Sequence, residues 1–275
     1  MTKYGLITKD ARQTIIHADG ASFSTLKKFS RSALHAQYAI THPPEPSVAM
    51  EFGNAVHLAV LEPDRFSSEC AVAPAVDRRT KEGKATWAAF QAENVGATIL
   101  TQDQFTACAA MRDAVWNHPV ACEMLSGIGH AEVGVIWKDA ETERPCKGLI
   151  DRLGEFDGWT WVIDLKTCQD ASPKEFAKTV ANQGYHAQAS MLLDGCNTVA
   201  PRERRFAWIA VEKEPPHAVA IYEAPLVMVA AGQVLYRKWL SAFISAKEHN
   251  YWPGYPPDIQ PLELPKWAMM GAFDE

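Results

Sequence analysis

Three charged side chains stand where two apolar strands are expected. Asp151 falls in the alternating stretch Pro145 to Glu155, and Asp164 and Lys166 fall in Trp159 to Thr167. Between the stretches lies Asp157-Gly158, a strong signal for a two-residue type I′ turn, which needs φ > 0 at both central positions. Such a turn sets Phe156 opposite Trp159 and, counting outward, Asp151 opposite Asp164. Directly opposed residues share a sheet face, and Lys166, two residues beyond Asp164, points the same way. Two facing carboxylates repel, and burial raises that cost. Ile150, Trp161, Ile163 and Leu165 are expected on the opposite, buried face, so a compensating charge is required. A hard divalent cation supplies it: Mg²⁺ takes oxygen ligands, commonly one or two carboxylates plus substrate phosphate. Lys166 could then orient or deprotonate a metal-bound water, or steady charge on a phosphorane. The trio has the makings of a metal-dependent phosphodiesterase centre. The plainer alternative is a surface hairpin whose Asp and Lys form a cross-strand ion pair.

The elements that must position these residues read as α/β. Ser22 or Ser24 caps a helix to about Ile40, with Phe23, Leu26, Phe29 and Leu34 as core candidates. The run THPPEPS breaks it. A second helix, about Val48 to Leu61, carries Phe52, Val56 and Val60 on one face and His57 at the edge of that stripe. The basic stretch DRRTKEGK leads into a third helix around Trp87 and Phe90. Thr101 and Gln104 form a capping box for a fourth, ending near His118-Pro119. Strands follow from Glu132 to Lys138 and through the hairpin. Ser172-Pro173-Lys174-Glu175 starts a helical region reaching Asp194-Gly195, with an interruption at Asn182-Gln183-Gly184. Arg205 to Val211 and Ala218 to Ala224 read as strands, Leu226 to His249 as a last helix, and residues 251–275 as a Pro-rich tail. We therefore expect one domain over 1–275: a mainly helical part to about 125, a sheet-containing core over about 130–250, then the tail.

Bulk properties narrow the class. The 275 residues are 47% hydrophobic and 22% charged, an ordinary globular composition. No apolar run approaches the roughly 20 residues needed to span a bilayer, and MTKYGLITKDARQT lacks the apolar core of a secretory signal, so a cytoplasmic location is expected. The six cysteines are scattered with no C-x-x-C, which argues against a zinc ribbon, an iron–sulfur cluster or a disulfide framework. A net charge of −6 counts against nucleic acid as partner unless a local basic groove exists. Candidates for such a groove are Arg78, Arg79, Lys81 and Lys84, then Lys174 and Lys178, then Arg202, Arg204 and Arg205. Clusters of this size ordinarily mark solvated surface.

Gly-x-x-Asp, a hairpin, then Asp164-Leu165-Lys166 resembles the PD-(D/E)xK nuclease signature. With FGNAVHLAVLEPDRF, DRRTKEGK and VIDLKTCQDASPKEFAKTVANQGYHAQASMLLDG, the chain from about Ser22 to His249 is similar to the RecE-type exodeoxyribonucleases (exodeoxyribonuclease VIII) and their phage relatives. The resemblance implies a restriction-endonuclease-like core: a three-strand antiparallel meander, a helix and further strands, with an N-terminal helical elaboration. It implies a Mg²⁺-dependent (or Mn²⁺-dependent) 5′-to-3′ exonuclease on linear double-stranded DNA. It also implies a 3′ tail handed to a RecT/Beta-like annealing protein, a ring-forming homo-oligomer, and a phage or prophage origin in a bacterial cytoplasm. Carried over by position, the catalytic set is Lys166, Asp164, Asp151, His57, Glu132 and Gln188, and the metal set is Asp151, Asp164, His57, Glu132 and the Leu165 backbone carbonyl. A lone helix histidine is ordinarily a packed residue; the spacing Gly53-x-x-x-His57 and the likeness favour a ligand. Glu132 falls opposite Asp151 if Ala140–Glu143 is a four-residue loop. The chain departs from the pattern at Ile150, where proline is usual, and at Leu192, where a tyrosine four residues after Gln188 is usual; Tyr185 lies one turn earlier.

Overall fold

The structure, a computed structural model, describes residues 4–264. In chain order these form β1 (Gly5–Ile7), α1 (Ala11–His17), α2 (Phe23–Lys27), a 3₁₀ turn (Lys28–Ser30), α3 (Ala33–Thr41), α4 (Val48–Leu61), α5 (Pro63–Glu69) and β2 (Cys70–Val72). Next come α6 (Lys81–Glu93), β3 (Thr98–Leu100), α7 (Gln102–Asn117), α8 (Pro119–Ser126), β4 (Gly129–Lys138), β5 (Pro145–Phe156) and β6 (Trp159–Cys168). The chain then runs through α9 (Pro173–Gln183), α10 (Tyr185–Val199), β7 (Arg204–Glu212), β8 (Val219–Glu223) and α11 (Leu226–His249). Among the described residues no helix is long and apolar enough to cross a membrane. The Pro-rich tail expected over 251–275 is described only to Leu264; its remainder lies outside the described residues.

Six strands make one sheet in the order β1-β4-β5-β6-β7-β8. Every neighbour is antiparallel except β6 and β7, which are parallel and joined by the crossover of α9 and α10. This is the expected meander–helix–strand core of a restriction-endonuclease-like fold. Each face of the sheet is covered. On one side Leu26, Phe176, Leu192, Phe206, Trp208, Tyr236 and Leu240 pack into a core shared by α2, α9, α10 and α11. On the other, Val56, Val60, Phe66, Met111, Val115, Leu165 and Ile209 join α4, α5 and α7 to the sheet.

Several expected elements appear at their expected bounds, including Val48–Leu61, Leu226–His249 and the Thr101–Gln104 capping box. Others need correction. The first helix does not run unbroken to Ile40: Ser22 caps α2, a 3₁₀ turn follows, and Ser32 caps α3 by accepting from the His35 N–H. Leu34 consequently leaves the core and is half exposed. Pro63 and Pro119 each stop one helix and open another, because a proline that cannot continue a helix is tolerated at its first turn. β1 and the small parallel pair β2–β3 are too short to show a period in the sequence. Gly184, at φ 71°, separates α9 from α10 at the expected interruption, but α10 continues through Gly195 to Val199. Ser172 occupies the cap position of α9 without making a side-chain cap bond.

Helix α10, which reaches the sheet centre, is held by α11. A Cβ on Gly232 would sit 2.0 Å from the His186 carbonyl oxygen, so the two backbones touch where only glycine fits. We expect Gly232→Ala to cost at least about 2 kcal/mol in chemical denaturation, as overpacking does; an unchanged midpoint would show that α11 does not clamp α10.

Candidate active site

Asp157 (φ 48°) and Gly158 (φ 74°) make the type I′ turn, and the hairpin register runs from Phe156↔Trp159 to Arg152↔Ile163, as the dipeptide predicts. There the β5–β6 ladder stops. The next pair would be Asp151 and Asp164, and β6 instead continues beside β7 alone, with Asp164↔Trp208, Leu165↔Ile209 and Lys166↔Ala210. The expectation of a regular facing pair is thus corrected. Arg152 points to the α8 side, where its Nη2 donates to the Gly127 carbonyl at 2.5 Å, whereas Ile150 packs in the α10-side core. Residues two apart therefore lie on opposite faces, and Ile150 does not join Leu165. Asp151 sits at the switch. Its partner across β4 is irregular too: Glu132 has φ 51° and falls between the pairs Ala131↔Arg152 and Val133↔Ile150. The loop between these strands has the four residues expected, since Lys138 pairs with Pro145 and the Asp139 N–H bonds to the Arg144 carbonyl.

Parting the strands frees a backbone donor, and Asp151 takes it. The Leu165 N–H donates to Asp151 Oδ2 at 2.7 Å, joining this carboxylate to the peptide that follows Asp164. His57 Nδ1, from α4 on one face, lies 3.4 Å from the same oxygen. On the other face Gln188 Nε2, from α10, donates to Asp164 Oδ1 at 3.0 Å. The Lys166 ammonium lies 2.6 Å from Asp164 Oδ2 and 4.6 Å from the Tyr185 ring centre. Asp151, Asp164, Lys166, His57 and Gln188 are thereby brought together, and Leu165 contributes its N–H.

Both carboxylates are buried, at 8% and 3% exposure, yet their affinities for a proton diverge. Burial pushes Asp164 from the ordinary 3.8 up to about 6, the negative charge of Asp151 adds to this, and Lys166 offsets only part. Burial acts on Asp151 as well, but His57, Lys166 and the Leu165 N–H outweigh it and hold its carboxyl below the ordinary range. Against their own burial, His57 is raised by Asp151, and Lys166 is raised by Asp164 and Asp151 together. The result is one strongly ionised acid beside one that gives up its proton reluctantly.

The donor chemistry suits a hard cation. Asp164 Oδ2 is buried and is met only by the Lys166 ammonium, at 2.6 Å, among the described residues. Asp151 commits only Oδ2 among the described residues, leaving Oδ1. As the side chains stand, no three His, Cys, Asp or Glu groups converge into a finished ligand cluster among the described residues. His57 is engaged with Asp151 and Lys166 with Asp164, so a cation held by Asp151, Asp164 and His57 would displace those contacts.

Glu132 is placed at the level of Asp151 but turned to another partner. Its carboxylate is gripped by Arg12 of α1, with Nη2 to Oε1 at 2.9 Å and Nε to Oε2 at 3.1 Å. Arg12 escaped the sequence reading, since nothing in a short N-terminal helix marks a residue 120 positions from its partner. Lys27 escaped it also. Its Nζ donates to Gln183 Oε1 at 2.7 Å, and burial and the charge of Lys166 lower its proton affinity. A signal existed: Gly20 to Pro44 contains Lys27, Lys28 and Arg31 and no acidic residue. Beyond Lys166 a cleft of about 650 Å³ is lined by Met50, Thr167, Asn182, Gln183, Tyr185 and Lys178. Lys213 also lines this cleft, whereas Arg78 covers Trp87, Arg205 covers Trp159, and Arg202 pairs with Glu155.

Because the folded-state pKa of Asp164 lies above its unfolded value, the stability it contributes is present below about pH 4 and is lost as the pH rises to about 6. In chelator, the melting temperature of the wild type should therefore fall relative to Asp164→Asn between pH 4 and pH 7. Parallel curves would show that this acid ionises without penalty.

A family model described as a PDDEXK-like domain of unknown function (DUF3799) matches residues 22–263. No curated protein is similar enough to count as a match. Among solved structures, a protein from Eubacterium rectale provisionally described as an exonuclease aligns over 97% of both chains with a TM-score of 0.58 at 11% identity, a likeness of fold. SSO0001 aligns at a TM-score of 0.32 and 13% identity over 81% of this chain and 84% of its own. VC1899 from Vibrio cholerae aligns at 0.24 and 10%, over 84% and 57%. With its paired acids and lysine at the parting of two strands, and the family match running through them, the chain belongs to the PDDEXK-like DUF3799 family.

Proposed function

We propose that the chain is a Mg²⁺-dependent exonuclease that degrades the 5′ strand of linear double-stranded DNA. The observation that carries the nuclease reading is the buried group Asp151, Asp164 and Lys166 assembled around the Leu165 amide. Asp151 and Asp164, with His57, are the residues that would hold the cation, and the Leu165 carbonyl is a further candidate by resemblance. When bound, the ion supplies Lewis acidity toward the phosphate and a more acidic water. Lys166, whose proton affinity is raised by two carboxylates, stays charged. That favours a role in steadying negative charge on the phosphorane over proton abstraction. Gln188 holds Asp164 in place, and Tyr185 presents its ring face to the lysine ammonium. Lys27 adds a cation at the cleft edge, suited to a neighbouring phosphate.

Strand polarity, the 3′ tail, the annealing partner, ring formation and a cytoplasmic phage or prophage setting rest on the resemblance of the quoted stretches to RecE-type enzymes. Linear duplexes labelled at either end test the reading. We expect stepwise loss of the 5′ label with Mg²⁺, silence in chelator, and no cutting of closed circular DNA. Cleavage of the circle would indicate an endonuclease, and binding to ends without hydrolysis a non-catalytic module. Asp164→Ala and Lys166→Ala should each lower turnover at least about a hundredfold while the melting transition stays cooperative; wild-type rates in either variant would remove the group from the chemistry.

A further inference from the structure

Glu132 combines three features that a surface ion pair lacks. It is 7% exposed, its backbone is left-handed at φ 51° inside a strand, and both its oxygens are held by one guanidinium. A bidentate Arg–carboxylate pair specifies direction as well as charge. The direction here is toward Arg12 of α1, although register sets Glu132 and Asp151 at the same level of β4 and β5. Without Arg12, a third buried carboxylate would stand beside the two that face the cation. Burial and the neighbouring charges of Asp151 and Glu62 already press against its ionisation. A cavity of about 310 Å³ lined by Asp10, Arg12, Glu62, Arg65 and Glu132 contains this pair. Arg65 is occupied by Glu62 and Glu69, so among the described residues Arg12 alone pairs with Glu132.

We propose that Arg12 is a positioning residue that withholds Glu132 from the cation at Asp151 and Asp164, so that the centre takes up a single divalent ion. This rests on the metal-dependent reading above and assigns Glu132 to the surroundings of the ion instead of its ligand set. Reversal through Glu132 of whatever Arg12→Ala gains separates it from a structural role. Removing Arg12 deletes a positive charge near the centre and releases a negative one toward it, and both changes favour a cation. Loss of a merely structural pair would give no gain in ion affinity that Glu132→Gln then reverses.

Calorimetric titration of the metal-free chain with Ca²⁺, without DNA, reads this directly. The wild type should bind one ion per chain, and Asp164→Asn should lose it. If neither binds Ca²⁺, the metal centre itself falls. Arg12→Ala should tighten binding at least about tenfold or add a second ion, and Arg12→Ala with Glu132→Gln should return to within about threefold of the wild type. Should Arg12→Ala not fold, Glu132→Gln alone decides. An affinity within about threefold of the wild type supports the withheld acid, and a loss of about tenfold or more makes Glu132 a ligand and overturns the proposal. Arg12→Ala that folds and binds Ca²⁺ no better than the wild type, with one ion, overturns it as well.

Discussion

The hydrogen bond from the Leu165 amide to Asp151 Oδ2 is the contact on which the rest of the centre depends. An amide left over where two strands part must be satisfied, since an unpaired buried N–H costs about as much as a lost hydrogen bond. Here a carboxylate satisfies it. The same bond offsets part of the burial cost of Asp151, ties it to the strand carrying Asp164 and Lys166, and leaves its second oxygen for a cation. One departure from regular pairing thus creates both a need for a charged side chain in the sheet and a means of holding it.

Around that bond the charges are graded. His57 and Lys166 sit on different sides, each drawn to its nearer carboxylate, so the two acids are compensated unequally. Asp151 is held below the ordinary carboxylate range, whereas Asp164, with Lys166 offsetting only part of its burial, is raised above it. A buried pair left at such an imbalance is a poor way to build stability and a good way to attract a cation.

Much of this was legible in the residues. Asp157-Gly158 determined the register of β5 and β6 because its backbone geometry permits little else, and the four-residue loop did the same for β4 and β5. The capping box at Thr101 and the proline at position 119 located helix ends. What could not be read was the behaviour of the strands at Asp151. Period-two alternation assumes a regular pleat, and it fails where Asp151 and Glu132 change faces. Partners distant in sequence were equally hidden: Arg12 on Glu132 and Lys27 on Gln183 arise from packing, and neither leaves a local pattern.

Helices α4 and α10 lie on opposite sides of the sheet, and their polar contacts meet at the gap in its ladder: His57 reaches through from one, Gln188 from the other. The sheet is consequently perforated at its centre by side chains in place of backbone bonds. Its innermost strands thus carry a built-in seam whose closure depends on ionisable groups, so the protonation of Asp151, Asp164 and His57 bears on how firmly the two sides of the sheet are laced together.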